Sequence, residues 1–327
     1  MSKAAELAAL IGSQSALSNR NMIINGAMQV AQRGTSSTGI SYQTVDRFFF
    51  SQVALDNYAL TQTQQAVTDL AGFTNSFRIT TTTAESAFAA DELAYVAQKI
   101  EAQNLQQLAY GTSSAKQVTL SFYVKSSVTG TFSTNLYQVD DTRIVNSEYT
   151  ISSANTWERK EITYAADQIG VIDNDNGTGF YVTWNLALGS NYKGNAAPAW
   201  EAYNNDNWAG AGTYTDAVIT TVNSTWEITG VQLEIGDVAT PFEHRSYGDE
   251  LFRCQRYFEK GGIAFANQSV ISGLYAVTKR TAPTMVRTAN IYSAAEAGTF
   301  GAFNEYSYYV YSGSTYLGGK WTADAEL

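Results

Sequence analysis

One cysteine, Cys254, and one histidine, His244, are all that 327 residues supply of the two most versatile catalytic side chains. A single cysteine excludes an intrachain disulfide, and a single histidine excludes a multi-histidine metal site within one chain. Proline is scarce as well, with three residues. Charged residues make up 15% of the chain, against roughly 25% in ordinary soluble domains, and Thr, Ser, Asn and Gln fill the gap. The charge that exists is lopsided: 20 basic residues against 30 acidic ones leave a net −10. A surface of that sign repels phosphate backbones and anionic lipid, so neither nucleic acid nor a membrane surface is an expected partner. No apolar run reaches the 18 residues of a membrane-spanning helix. The first twenty residues show neither a long apolar run nor a small-residue cleavage site. The expectation is a protein made soluble in a cytoplasm, leaving by lysis or as part of a particle.

What the chain has is alternation. Val118, Leu120, Phe122 and Val124 alternate with polar neighbours, which predicts a strand with one buried face. Val182, Trp184, Leu186 and Leu188 repeat the pattern against Tyr181, Thr183 and Asn185. Trp226 and Ile228 repeat it again, until the phase slips at Thr229–Gly230 and Val231, Leu233 and Ile235 become the inward set. A one-residue slip at a glycine predicts a β-bulge. Less regular strands are expected at Phe48–Val53, Phe77–Thr82, Gln98–Glu101, Thr131–Gln138 and Glu158–Tyr164, with hairpin reversals at Thr129–Gly130, Asp140–Asp141 and Asn176–Gly177. Many short strands, frequent turns and almost no helix predict a mainly β chain folded as an antiparallel sandwich.

Three regions depart from this pattern. Residues 3–17 carry a narrow apolar stripe of Ala4, Leu7, Leu10 and Ile11, which predicts a short N-terminal helix ended by Gly12. Residues 189–214 form a long polar insertion containing Tyr192, Trp200, Tyr203, Trp208 and Tyr214. Beyond a short helix carrying Cys254, residues 261–327 turn rich in Tyr, Ser, Ala and Gly, with a dense run of Tyr306, Tyr308, Tyr309 and Tyr311. The expected organisation is a helical segment over 1–20, a sandwich over 21–250, and a short helix with a small C-terminal β-rich domain over 251–327.

Chemistry finds few candidates. Asp173, Asp175 and Gly177 in DNDNG begin like a calcium loop, but Thr178 stands where the loop glycine belongs and Trp184 where its closing glutamate belongs. No Gly-rich phosphate loop, GxSxG or HExxH occurs. His244 and Cys254 sit in packing contexts. Glycoside hydrolysis needs two carboxylates about 5–10 Å apart, and nothing selects a pair. Glu101, Glu234 and Glu243 each fall at a strand end and read as polar anchors. No catalytic residue, metal or cofactor is expected. Aromatics are the better candidates, because a sugar's apolar C–H face stacks on Trp or Tyr while Asn, Asp and Gln take its hydroxyls. Trp200, Tyr203 and Trp208 in the insertion, and Tyr306, Tyr308, Tyr309 and Tyr311 in the C-terminal run, are the candidate glycan contacts. The alternative for each is ordinary packing or burial between subunits.

Taken in order, NRNMIINGAMQVAQRGTS, YQTVDRFFF, QKIEAQN, VTLSFYVKSSVTGTF, ANTWERKEITY, ITGVQLEIGDVATPFEHRSYGDEL and CQRYFEK resemble a family of bacteriophage virion proteins of tail-fibre or carbohydrate-binding-module-like type, found in marine and cyanobacterial phages. The resemblance runs from about Asn19 to Lys260. It implies a jelly-roll sandwich, a variable part after the CQRY block, and a homotrimeric assembly. It also implies a virion location, with residues 1–20 joining the particle or sister subunits. Three functions follow as expectations: an appendage subunit binding host-surface polysaccharide, a structural adaptor binding no receptor, or a capsule depolymerase.

Overall fold

The computed structural model describes residues 19–194, 199–266, 270–290, 299–311 and 316–327. The helix expected at 3–17 lies outside them. Two compact units follow one another, Met1–Arg245 and Ser246–Leu327, so the division falls five residues before the expected boundary at 250.

In the first unit, strands β1 (Ser36–Ser37), β2 (Phe48–Val53), β3 (Ala59–Ala66), β4 (Asn75–Thr83), β5 (Leu93–Glu101) and β6 (Val118–Ser126) are followed by β7 (Gly130–Gln138), β8 (Arg143–Ile151), β9 (Glu158–Tyr164), β10 (Thr178–Leu188), β11 (Glu201–Ala202) and β12 (Thr225–Ile235). They form two six-stranded antiparallel sheets, ordered β1-β3-β4-β12-β6-β9 and β11-β8-β7-β10-β5-β2. The fold is the expected mainly β jelly-roll sandwich. Asp140–Asp141 turns the β7–β8 hairpin as predicted. Thr129–Gly130 and Asn176–Gly177 do not make hairpins: each precedes a strand that joins the opposite sheet from its predecessor. Turn residues signal a reversal of the chain, and a crossing between layers needs the same residues as a hairpin.

The core lies between the sheets. Trp184 and Trp226 are fully buried there with Phe48, Phe77, Phe122 and Phe180. Trp184 meets Phe122 edge to face at 5.8 Å and Phe48 at 6.2 Å. Each large apolar side chain so buried contributes roughly 1.5–3 kcal/mol.

The bulge expected at Thr229–Gly230 is present. The register of β12 on β6 shifts between Thr229 and Gln232, and Gly230 has φ +62°. Beyond it β4 no longer pairs with β12, and the backbone register between them ends at Ile228↔Phe77. The N-terminal segment takes over that edge. Met22 donates its N–H to Leu233 O (2.9 Å), Asn21 Nδ2 donates to Val231 O (3.0 Å), and Val231 N donates to Gly26 O (3.0 Å). A Cβ on Gly26 would lie 2.2 Å from that Val231 oxygen, so glycine is required for the approach. Asn25 ties the segment down further, donating to Val30 O and Asp46 O and accepting from Val30 N. Glu243 accepts from the backbone N–H groups of Asn19 and Asn21. Arg245 reaches Ile23 O (3.0 Å).

The second unit opens with the helix Tyr247–Gln255, N-capped by Ser246, whose hydroxyl accepts from Asp249 N. Cys254 is buried in it. Strands β13 (Phe258–Ala266), β14 (Val270–Leu274), β15 (Thr284–Asn290), β16 (Thr299–Ala302), β17 (Ser307–Tyr311) and β18 (Tyr316–Asp324) form two three-stranded sheets, β13-β18-β15 and β14-β17-β16. Its small core holds Ile271, Tyr275, Tyr308, Val310, Trp321 and Ala323.

Candidate functional site

The outward face of the second sheet carries the strongest concentration of unused polar chemistry. Along β10, alternation sends Val182, Trp184 and Leu186 into the core and Tyr181, Thr183 and Asn185 to the other face. Register then lines up rows across the sheet. Thr183 stands opposite Ala97 of β5 and Asn135 of β7; Asn185 stands opposite Tyr95 and Ser133; Tyr181 stands opposite Lys99 and Tyr137. Phe49 of β2 is opposite Ala97.

The described parts of the insertion, 189–194 and 199–214, fold back over this face. Trp208 packs on Tyr95 at 5.3 Å between ring centroids, and Tyr203 packs on Tyr137 at 5.0 Å. Around the face the rings form a closed circuit. Phe49 meets Tyr181 (6.4 Å), Tyr181 meets Tyr137 (5.9 Å), Tyr203 meets Trp208 (6.4 Å), and Tyr95 returns to Phe49 (6.3 Å). Lys99 Nζ lies 4.8 Å from the Tyr181 ring centroid and 5.5 Å from that of Phe49, within cation–π range.

Inside the circuit the floor is polar and uncharged. Asn135 and Thr183 are fully buried, and Asn185 is 2% exposed. Asn185 Nδ2 donates to Ser133 Oγ at 2.8 Å. Its Oδ1, both amide atoms of Asn135 and the Thr183 hydroxyl find no hydrogen-bond partner among the described residues. Buried polar groups are nearly always paired, and each exception costs about 1–3 kcal/mol. At the end of the Ser133–Asn185 row, Glu148 of β8 accepts from the Tyr214 hydroxyl. Burial raises the phenol pKa values of Tyr95, Tyr137 and Tyr181, and neighbouring phenols add to it for Tyr95 and Tyr137. Within the insertion an open polar groove of about 760 Å³ is lined by Ser190, Asn191, Lys193, Asn204, Asn205 and Asp206, with Gly194.

The candidates named from sequence divide. Tyr203 belongs to the aromatic circuit; its hydroxyl donates to Asn205 Oδ1 and accepts from Trp208 Nε1. Trp208 belongs to it too, but at 9% exposure its faces are spent on Tyr95, Tyr192 and Tyr203. Trp200 is elsewhere. It stacks on Phe180, meets Tyr110 edge to face, and donates Nε1 to Ala165 O at 2.7 Å, so it pins the loop. The tyrosine run of the second unit is split by strand alternation. Tyr308 faces inward against Tyr275 and Trp321. Tyr309 lies on Phe303 at 4.8 Å, and Tyr306 and Tyr311 are half exposed at 54% and 51%. Asn135, Thr183, Asn185, Tyr95, Tyr137 and Tyr181 were not among the candidates. Tyr181, Thr183 and Asn185 were visible as the outward partners of an alternating strand. Their neighbours across the sheet required the register.

The carboxylates that sequence treated as anchors are spent on the fold. Glu234 accepts from Gln232 Nε2 and from the N–H and hydroxyl of Thr240, with Arg20 at 3.5 Å. Glu101 accepts from Gln103 Nε2. In DNDNG, Asp175 accepts from Gly177 N as an ordinary turn.

No family model matches the sequence, and no curated protein does. Several solved structures align over about two thirds of the chain. A putative sugar-binding protein from Bacteroides thetaiotaomicron aligns over 66% of this chain and 100% of its own, at 13% identity and a TM-score of 0.36. A family 61 carbohydrate-binding module in complex with β-1,4-galactotriose aligns over 67% and 100%, at 8% identity and a TM-score of 0.30. The enzymatically active domain of tailspike protein 4 from bacteriophage CBA120 aligns over 66% of this chain, at 14% identity and a TM-score of 0.35, and the alignment spans 22% of that chain's length. Scores this low transfer no residue role to this chain.

Proposed function

We propose that the protein is a non-catalytic subunit of a virion appendage that binds host-surface glycan on the outward face of its second sheet. The observation that carries this reading is the pairing of a closed aromatic circuit with an uncharged polar floor whose hydrogen bonds are unspent. Aromatic rings suit the C–H faces of a sugar, and neutral amides and hydroxyls suit its hydroxyl groups. The virion context rests on the ordered sequence blocks. The first of them is structural in this fold: its Asn21, Asn25 and Gly26 bind the N-terminal segment to β12 and the core. Glu101, Glu234 and Glu243, the carboxylates best placed by sequence, are engaged with backbone and neighbouring side chains, in keeping with binding without catalysis. A homotrimer, with many weak sites on one particle acting together, would supply avidity.

The test is a glycan array that includes neutral and acidic surface polysaccharides, probed with the wild type and with Tyr137→Ala/Tyr181→Ala. Binding by the wild type and its loss in the double variant is the expected result. A wild type that binds no glycan overturns the reading. It would leave the adaptor role, which one observation favours. Leu274, Phe303 and Tyr311 of the second unit are 78%, 59% and 51% exposed, single apolar side chains of the kind that a neighbouring subunit would cover.

A further inference from the structure

We infer that Asn135 and Thr183, with Asn185 beside them, are the specificity-determining groups of this site and read adjacent hydroxyls on an uncharged sugar ring. The inference rests on the glycan reading and adds the ligand's charge class and the groups that select it.

The geometry is fixed by register. Asn135 and Thr183 are directly opposed on neighbouring strands, which places their Cβ atoms about 4.5–5.5 Å apart. Asn185 lies two residues along the same strand, about 7 Å away. Three neutral polar side chains thus span a patch the size of one hexose ring. The Asn135 amide has both its donor and its acceptor unspent, and the Thr183 hydroxyl can serve as either. A free amide of this kind pairs with two neighbouring hydroxyls, donating to one and accepting from the other. No carboxylate or cation stands in this triangle. Lys99 lies beside Tyr181 at the rim, and Glu148 is engaged by Tyr214 at the far end of the next row.

The floor is covered, and the cover does not satisfy it. Trp208, tilted 48° against Tyr95, spends its one donor, Nε1, on Tyr203, and the Asn135 amide, the Thr183 hydroxyl and Asn185 Oδ1 remain unpaired. A ligand that supplies these hydrogen bonds favours a state in which the floor is open to it, because it binds that state alone. Nothing in the packing of the sandwich needs the polarity of Asn135 or Thr183. Replacing an unpaired buried polar group by an apolar one of similar shape is neutral or stabilising, whereas replacing a group with a structural hydrogen-bonding role lowers stability.

The experiment compares the wild type with Asn135→Leu and Thr183→Val on the same glycan array and by thermal unfolding. The expected hits are uncharged glycans. Each variant should weaken binding to them by about tenfold or more, with the melting temperature unchanged or raised by about 2–4 °C. Binding retained in both variants, or hits confined to acidic glycans, overturns the inference while the broader glycan reading stands. A lowered melting temperature with binding intact assigns the two side chains to the fold and also overturns it. A wild type that binds nothing overturns both readings together.

Discussion

At Gly230 the missing Cβ does two things at once. The backbone sits at φ +62°, and a methyl group there would lie 2.8 Å from Phe73 Cζ and 2.9 Å from Tyr123 Cδ2. Gly230→Ala is expected to destabilise the first unit by about 1–3 kcal/mol, read as a lower urea midpoint with an unchanged slope. Trp184→Ala removes a side chain at the centre of the sandwich and should cost about 3–5 kcal/mol. The tyrosines of the aromatic circuit make a different prediction. Burial holds the phenols of Tyr95, Tyr137 and Tyr181 above their ordinary value. They therefore remain protonated, and glycan affinity should be flat from about pH 6 to pH 9; a loss of binding near pH 8 would show that another group titrates in the site.

Among the elements, the N-terminal segment against β12 depends on charge. Burial works to raise the Glu243 pKa, but the N–H groups of Asn21 and Asn19, with Arg245 and Arg20, outweigh it and hold the carboxyl below its ordinary value. A carboxylate depressed in the folded state contributes stability above its unfolded pKa, and that contribution is lost as pH falls through the folded one. Acid should therefore loosen the segment first. Hydrogen exchange at Ile23 and Val231 is expected to quicken below about pH 4, and Glu243→Gln should show fast exchange already at pH 7. Sequence revealed much at this scale, because an alternating strand with one buried face announces itself. Val182, Trp184 and Leu186 gave β10, and the phase slip gave the bulge. It did not reveal Ala59–Ala66 or Arg143–Ile151 as strands. ALTQTQQA has one fully apolar anchor, Leu60, and takes its place from pairing with β4. The site was half legible for the same reason. Tyr203 and Trp208 stood out as aromatics in a long loop, while Asn135 and Thr183 acquire meaning only when β7 and β10 lie side by side. The tyrosine run is divided because a strand sends alternate residues to opposite faces, and Tyr308 goes inward.

For the whole molecule, every residue of the aromatic circuit and its floor belongs to the first unit. A chain ending at Arg245 should therefore keep the glycan affinity of the full protein, measured on the same array; loss of binding would move the recognition surface to Ser246–Leu327. The second unit has its own core and its own buried ion pair. Lys279 Nζ donates to Glu259 and to Gln255 O, and breaking such a pair typically costs about 3–5 kcal/mol. Lys279→Met is expected to lower the unfolding transition of that unit and leave the sandwich transition in place, as calorimetry would resolve.

The placement of β12 has a consequence for the order of events during synthesis. It lies at the middle of the first sheet, between β4 and β6, yet it is the last strand of the sandwich to leave the ribosome. The segment that closes its far edge, Asn21–Gly26, precedes every strand of the sandwich, and their hydrogen bonds join residues 210 and 212 positions apart. Until Leu233 has emerged, β4 and β6 have no strand between them and the N-terminal segment has nothing to hold. The first sheet therefore lacks its joining strand until β12 is made, so completion of the first unit is a late step of the kind that slow-folding, long-range topologies share. A protein of this design is exposed to aggregation while it is being made, and protected from it once β12 is seated.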